Sequence, residues 1–153
     1  MKKKDNDTIV FDNEIQLPAT MDKLHGVMAW VKDKLDQNNC PMNIENQIAV
    51  ITEELFVNIS SYAYNGKTGA ASIRLTLKDE TIVLQFEDSG IPFNPLEHAS
   101  RNKNTSVESL EIGGLGISIT KKWSNSIEYL YKNGKNILTI TKTIPNLQEK
   151  TEQ

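Results

Sequence analysis

A single cysteine, Cys40, excludes an internal disulfide and fits a reducing compartment. With only two histidines, His25 and His98, beside it, no zinc site is worth proposing. Long apolar runs are missing too: none approaches the ~20 residues that span a bilayer. Lys2, Lys3 and Lys4 are followed by Asp5, Asn6 and Asp7, where a secretion signal would need an apolar stretch. Nor is positive charge in excess. Seventeen Lys and Arg against 20 Asp and Glu give a net charge of -3, so no nucleic-acid surface advertises itself. What is there is the balance of a soluble globular protein, 38% hydrophobic and 24% charged residues in 153. That length suits one domain with a core large enough to fold unaided. We expect a cytoplasmic domain over 8–145, with tails at 1–7 and 146–153 and with neither nucleic acid nor membrane as partner.

The hydrophobic period switches along the chain in an informative order. Ile9, Phe11, Asn13 and Ile15 alternate as in a strand. Thr20 is placed to cap a helix on which Leu24, Val27, Met28, Val31 and Leu35 recur. Asn43 is placed to cap the next helix. There Ile44, Ile48, Ile51, Leu55, Ile59 and Tyr62 form one long apolar stripe, ending by Asn65 and Gly66. Two alternating segments around Ile73 to Leu77 and Ile82 to Phe86 predict a hairpin, connected through Lys78 to Glu80. Glu97 to Glu108 is strongly polar, and a loop of this length in a compact domain is usually functional. A helix resumes at Leu115, with Ile119 and Trp123 on one side. A last hairpin turns at Asn133-Gly134, with Leu138, Ile140 and Lys142 on one face of its return strand. These elements predict an α+β two-layer sandwich: a mostly antiparallel sheet covered on one face by three helices.

Three clusters could carry chemistry. Glu54 and Asn58, four residues apart, project from one helix face. A carboxylate can accept a proton from a hydroxyl, and an amide oxygen suits Mg²⁺, although a solvated helix face would look the same. Asp88-Ser89-Gly90-Ile91-Pro92 follows a strand. Asp88 could accept from an exocyclic amine while Gly90 lets a flat ring approach the backbone, but a plain turn uses the same residues. Gly113-Gly114-Leu115-Gly116 opens a helix, where exposed N–H groups favour phosphate; a ligand-free hinge is the alternative. The last cluster matches neither the Rossmann fingerprint nor the P-loop.

In order, Glu-x-x-x-Asn on a helix, Asp-x-Gly-x-Pro after a strand and Gly-Gly-Leu-Gly before a helix resemble the GHKL, or Bergerat-fold, ATP-binding family. The domain-sized chain is most similar to its RsbW- and SpoIIAB-like branch, the anti-sigma factor serine/threonine kinases. The resemblance is best from Ile48 to Trp123. It implies ATP and Mg²⁺ as cofactors, Asn58 as the metal ligand, Glu54 as general base and Asp88 as acceptor for the adenine amine, with Gly90 beneath the ring. It further implies a lid over 97–112 and phosphate contacts from Gly113, Gly114, Leu115 and Gly116. As partners it implies a STAS-type anti-sigma antagonist and a sigma factor, with a homodimer left open. The implied activity is phosphorylation of that antagonist; the alternative is a nucleotide-gated protein that sequesters a partner without phosphoryl transfer. Two departures stand out. Tyr62 and Ala63 replace a His-Gly or His-Ala pair common in relatives. Ser109, Leu110, Glu111 and Ile112 occupy the stretch where relatives often carry an arginine, and no Lys or Arg lies between Lys103 and Lys121.

Overall fold

The structure, a computed structural model, describes residues 9–97 and 115–145. Its strands are β1 (Asn13–Pro18), β2 (Ala70–Lys78), β3 (Thr81–Asp88), β4 (Ser126–Lys132) and β5 (Lys135–Thr143). Its helices are α1 (Leu24–Gln37), α2 (Met42–Asn58) and α3 (Leu115–Trp123). The strands form one sheet in the order β1-β2-β3-β5-β4, every pair antiparallel. The α+β sandwich read from the sequence is therefore the observed architecture.

Alternation sorts the strand residues onto two faces. Ile73, Leu75, Ile82, Leu84, Phe86, Leu138 and Ile140 are buried on the inner face. They pack against Val27, Val31 and Leu35 of α1, Ile48, Ile51, Leu55 and Phe56 of α2, and Ile117 of α3. Each such side chain withdrawn from water contributes about 1.5–3 kcal/mol before conformational entropy opposes it. Both hairpin turns have two residues in the left-handed region, the geometry that matches the strand twist. Asn133 and Gly134 adopt it as expected, with φ of 54° and 76°. Asp79 and Glu80 adopt it without a glycine, at 54° and 62°.

Several boundaries differ from the sequence reading. The first strand begins at Asn13 rather than near Ile9, because Thr76 Oγ1 donates to Asp12 Oδ2 (2.9 Å) and a side-chain bond replaces the ladder there. Thr20 does not cap α1. Its hydroxyl donates to the Asp22 carboxylate, and a 3₁₀ turn at Met21–Lys23 precedes the helix. Pro41, not Asn43, occupies the N-cap of α2, where its carbonyl accepts from the Ile44 and Glu45 N–H groups at 3.1 and 2.9 Å. On α3 the buried positions are Ile117 and Thr120, while Ile119 is only half-buried. Lys142 Nζ donates to the Trp123 carbonyl at 2.6 Å, closing the C-terminal end of α3.

Candidate functional site

The apolar stripe of α2 continues past Asn58 as a π turn, Ile59–Ala63, before Asn65 and Gly66 end it with φ of 51° and 86°. Such turns are rare and recur at functional sites. Here the turn brings the Ala63 carbonyl to the exit of β3, where the Ile91 N–H donates to it at 2.9 Å. A Cβ on Gly90 would lie 2.1 Å from that oxygen, so only glycine fits. The demand for Gly90 thus comes from the helix it touches.

Asp88 ends β3 on the inner face, opposite Asn136 of β5. Its Oδ1 accepts from Gly90 N and Asn136 Nδ2, both at 2.9 Å. Burial pushes its carboxyl above the usual aspartate range, although these two bonds pull the other way. Asn136 also donates to the Ile91 carbonyl at 2.9 Å and accepts from the Phe93 N–H at 3.0 Å and from the Tyr129 hydroxyl. Phe93 stacks on Tyr62, ring centroids 6.2 Å apart.

These groups line a narrow cavity of about 50 Å³. Asn58, Tyr62, Asp88, Phe93, Tyr129 and Asn136 line it among aliphatic neighbours. Asn58 and Asp88, 30 residues apart in sequence (88 − 58 = 30), therefore meet in one pocket. Glu54 lies one turn earlier on α2, half-buried, and is not among the residues that line it. Burial, and then the neighbouring Glu53, push the Glu54 carboxyl above the usual range.

Gly113, Gly114 and positions 98–112 of the expected lid lie outside the described residues. Leu115 and Gly116 form the first turn of α3, whose N–H groups have no partner within the helix. Among the described residues no group of three or more His, Cys, Asp and Glu could hold a metal ion. Nor is any described helix long and apolar enough to cross a membrane.

Asn136 and Tyr129 went unrecognised in the sequence. Asn136 follows Asn133-Gly134 and reads as part of a turn. The one available signal was an asparagine inside an alternating β segment, where that residue is depleted.

The fold is a two-layer sandwich with a buried carboxylate at the lip of its inner face. Residues 17–142 match the family described as the histidine kinase-like ATPase domain, and the chain belongs to that family. Among similar proteins is an anti-sigma F factor of Clostridium kluyveri, 24% identical over 99 residues, 65% of this chain and 70% of the relative. Another is the serine/threonine-protein kinase BtrW of Bordetella bronchiseptica, 22% identical over 129 residues, 83% of this chain and 90% of the relative. Of solved structures, Acinetobacter baumannii histidine kinase AdeS matches with a TM-score of 0.50 and 18% identity, over 93% of this chain and 72% of that one. The Erythrobacter litoralis EL346 blue-light activated histidine kinase matches with a TM-score of 0.51 and 17% identity, over 73% of this chain. The match spans only 33% of that longer kinase. At these identities the structural likeness speaks for the fold alone.

Proposed function

We propose that this protein is an anti-sigma factor-type serine/threonine kinase that uses Mg²⁺-ATP to phosphorylate a STAS-type antagonist. The observation that carries the reading is the meeting of Asn58 and Asp88 in one apolar cavity. Relatives named as an anti-sigma F factor and a serine/threonine kinase support the branch.

The donor set fits the nucleotide. Asp88 offers a buried acceptor whose two internal bonds both fall on Oδ1, leaving Oδ2 for the adenine amine. Asn58 contributes one hard amide oxygen at the cavity wall, so most ligands of a Mg²⁺ ion would come from phosphate and water. When bound, Mg²⁺-ATP supplies the transferable phosphoryl group and neutralises its developing charge. The α3 N-terminus, with Gly113 and Gly114 before it, favours the phosphates. Glu54 takes the proton of the target hydroxyl. Burial, and then Glu53, raise its pKa and so make it a stronger base.

The test is single-turnover transfer from labelled ATP to a candidate STAS partner. Glu54→Gln should reduce transfer by ~10²- to 10⁴-fold while ATP affinity barely moves. The same variant should be more stable at neutral pH. A carboxyl whose folded pKa is raised destabilises the fold once ionised, and this difference vanishes as pH falls below the ordinary glutamate value. Asn58→Ala should remove the Mg²⁺-dependent part of ATP binding in calorimetry; unchanged affinity would refute the metal assignment. The lack of Lys or Arg between Lys103 and Lys121 favours a second reading, a nucleotide-gated protein that sequesters a sigma factor. Tight ATP and partner binding with no transfer would select it.

A further inference from the structure

The side chain of Asn136 is 7% exposed, and it uses every hydrogen-bonding capacity an amide has. Its two N–H donors go to Asp88 Oδ1 and the Ile91 carbonyl, each at 2.9 Å, with the Gly90 carbonyl 3.5 Å away. Its oxygen accepts from the Phe93 N–H at 3.0 Å and from the Tyr129 hydroxyl. Exchanging the amide oxygen and nitrogen would set oxygen against a carboxylate and a carbonyl, and NH₂ against a backbone N–H. The network therefore fixes the orientation. No capacity remains for a ligand.

We propose that Asn136 is the positioning residue that sets base preference at this site, holding Asp88 as an acceptor with Oδ2 toward the nucleotide. It also pins the Gly90–Phe93 segment that walls the cavity. Its effect on the base passes through Asp88, so the inference rests on Asp88 being the acceptor for the adenine amine. A purine that presents a carbonyl where adenine presents its amine meets a fixed acceptor and is refused. Were the carboxylate free to rotate or to carry a proton, that refusal would fade.

Asn136→Asp keeps the shape while setting a second carboxylate against Asp88. Two carboxyl groups this close share a proton, and Asp88 then serves part of the time as a donor. The measurement is competition of ATP and of GTP against a fluorescent ADP analogue, with melting curves of the nucleotide-free proteins beside it. Asn136→Asp should weaken ATP by about tenfold or more, the worth of a hydrogen bond to a charged group, and bring the ATP-to-GTP ratio close to one. Asn136→Ser retains one donor for Asp88 but abandons the Ile91 carbonyl, and should give an intermediate ratio. A merely structural asparagine would weaken both nucleotides together. A folded Asn136→Asp protein with the wild-type ratio overturns the proposal, and if that variant does not fold, Asn136→Ser decides by the same criterion. Asp88→Asn in the same assay separates the layers. If it changes the ratio and neither Asn136 variant does, the positioning role alone fails. If it too leaves the ratio unchanged, the adenine reading of Asp88 falls and takes this inference with it.

Discussion

The two faces of the sheet are written in the same strands, one residue out of phase, and they treat polar groups in opposite ways. On the inner face Asp88 and Asn136 stand opposite each other at the end of an apolar run, 8% and 7% exposed. Their shared bond is one of several that hold a cavity wall in place. On the outer face Arg74 lies amid carboxylates, 2.7 Å from Glu87 Oε1 and 3.4 Å from Glu14 Oε2, while Lys135 reaches Glu87 Oε2 at 2.9 Å. Of the outer groups, Glu14 and Lys135 keep much of their contact with water, and Arg74 and Glu87 keep less. The inner pair has no such recourse, because a buried polar group left unpaired costs more than a made bond contributes. A polar pair beside Phe86 and Leu138 therefore has to stay paired for that wall to hold.

The comparison can be broken or sharpened by substitution. The largest effect is expected from Gly90→Ala, where the new Cβ would meet the Ala63 backbone. A loss of about 3 kcal/mol or more should appear as a lower urea midpoint, with nucleotide binding lost as the contact opens. Next is the adjacent pair Leu84 and Val83, which face opposite ways from one strand. Leu84→Ala, at a fully buried site, should cost about 2–5 kcal/mol; Val83→Ala, half-buried on the outer face, about 1 kcal/mol. Equal losses would mean that something covers the outer face in solution.

The smallest effect is expected from Arg74→Met, about 1 kcal/mol or less at neutral pH, since Arg74 and Glu14 keep part of their hydration. Its pH dependence is more telling. Burial pushes the Glu87 carboxyl up, but the Lys135 and Arg74 bonds outweigh it and hold it below the usual glutamate range. A depressed folded pKa contributes stability above the unfolded value, and this is lost as pH falls through the folded one. The wild type should therefore lose more stability on acidification than Arg74→Met does, by urea midpoints over the acid limb. Parallel pH profiles would leave Glu87 without its assigned partner.

Much of this architecture was legible from period alone. The stripe from Ile44 to Leu55 and the alternations around Ile73, Ile82 and Ile137 are long enough to outweigh local propensity. Strand order was not, because β5 inserts between β3 and β4: turn signals announce the two hairpins, but nothing local announces the β1–β2 and β3–β5 pairings. The same blindness hid Asn136. Its partner Asp88 is 48 positions away, and only the β3–β5 register makes them neighbours. Asp88 and Asn58 could be singled out because each sits in a short motif. Tyr129 and Phe93 could not, since an aromatic residue in a strand or loop reads as packing. Helix starts were misread at Thr20 and Asn43, where a good capping residue was present but a neighbouring hydroxyl–carboxylate bond or a proline carbonyl took the role.

The π turn at Ile59–Ala63 has a consequence for how such a domain can diverge. A π turn accommodates more chain per revolution than the α helix before it, so it behaves as a local change in chain length. Deleting one residue there, such as the exposed Ser61, would return the stretch to α pitch while leaving the residues beyond it in nearly their present phase, because the wide turn already absorbs the extra residue. The gain or loss of one residue is thus taken up inside the turn itself, with the rest of the sandwich left as it was.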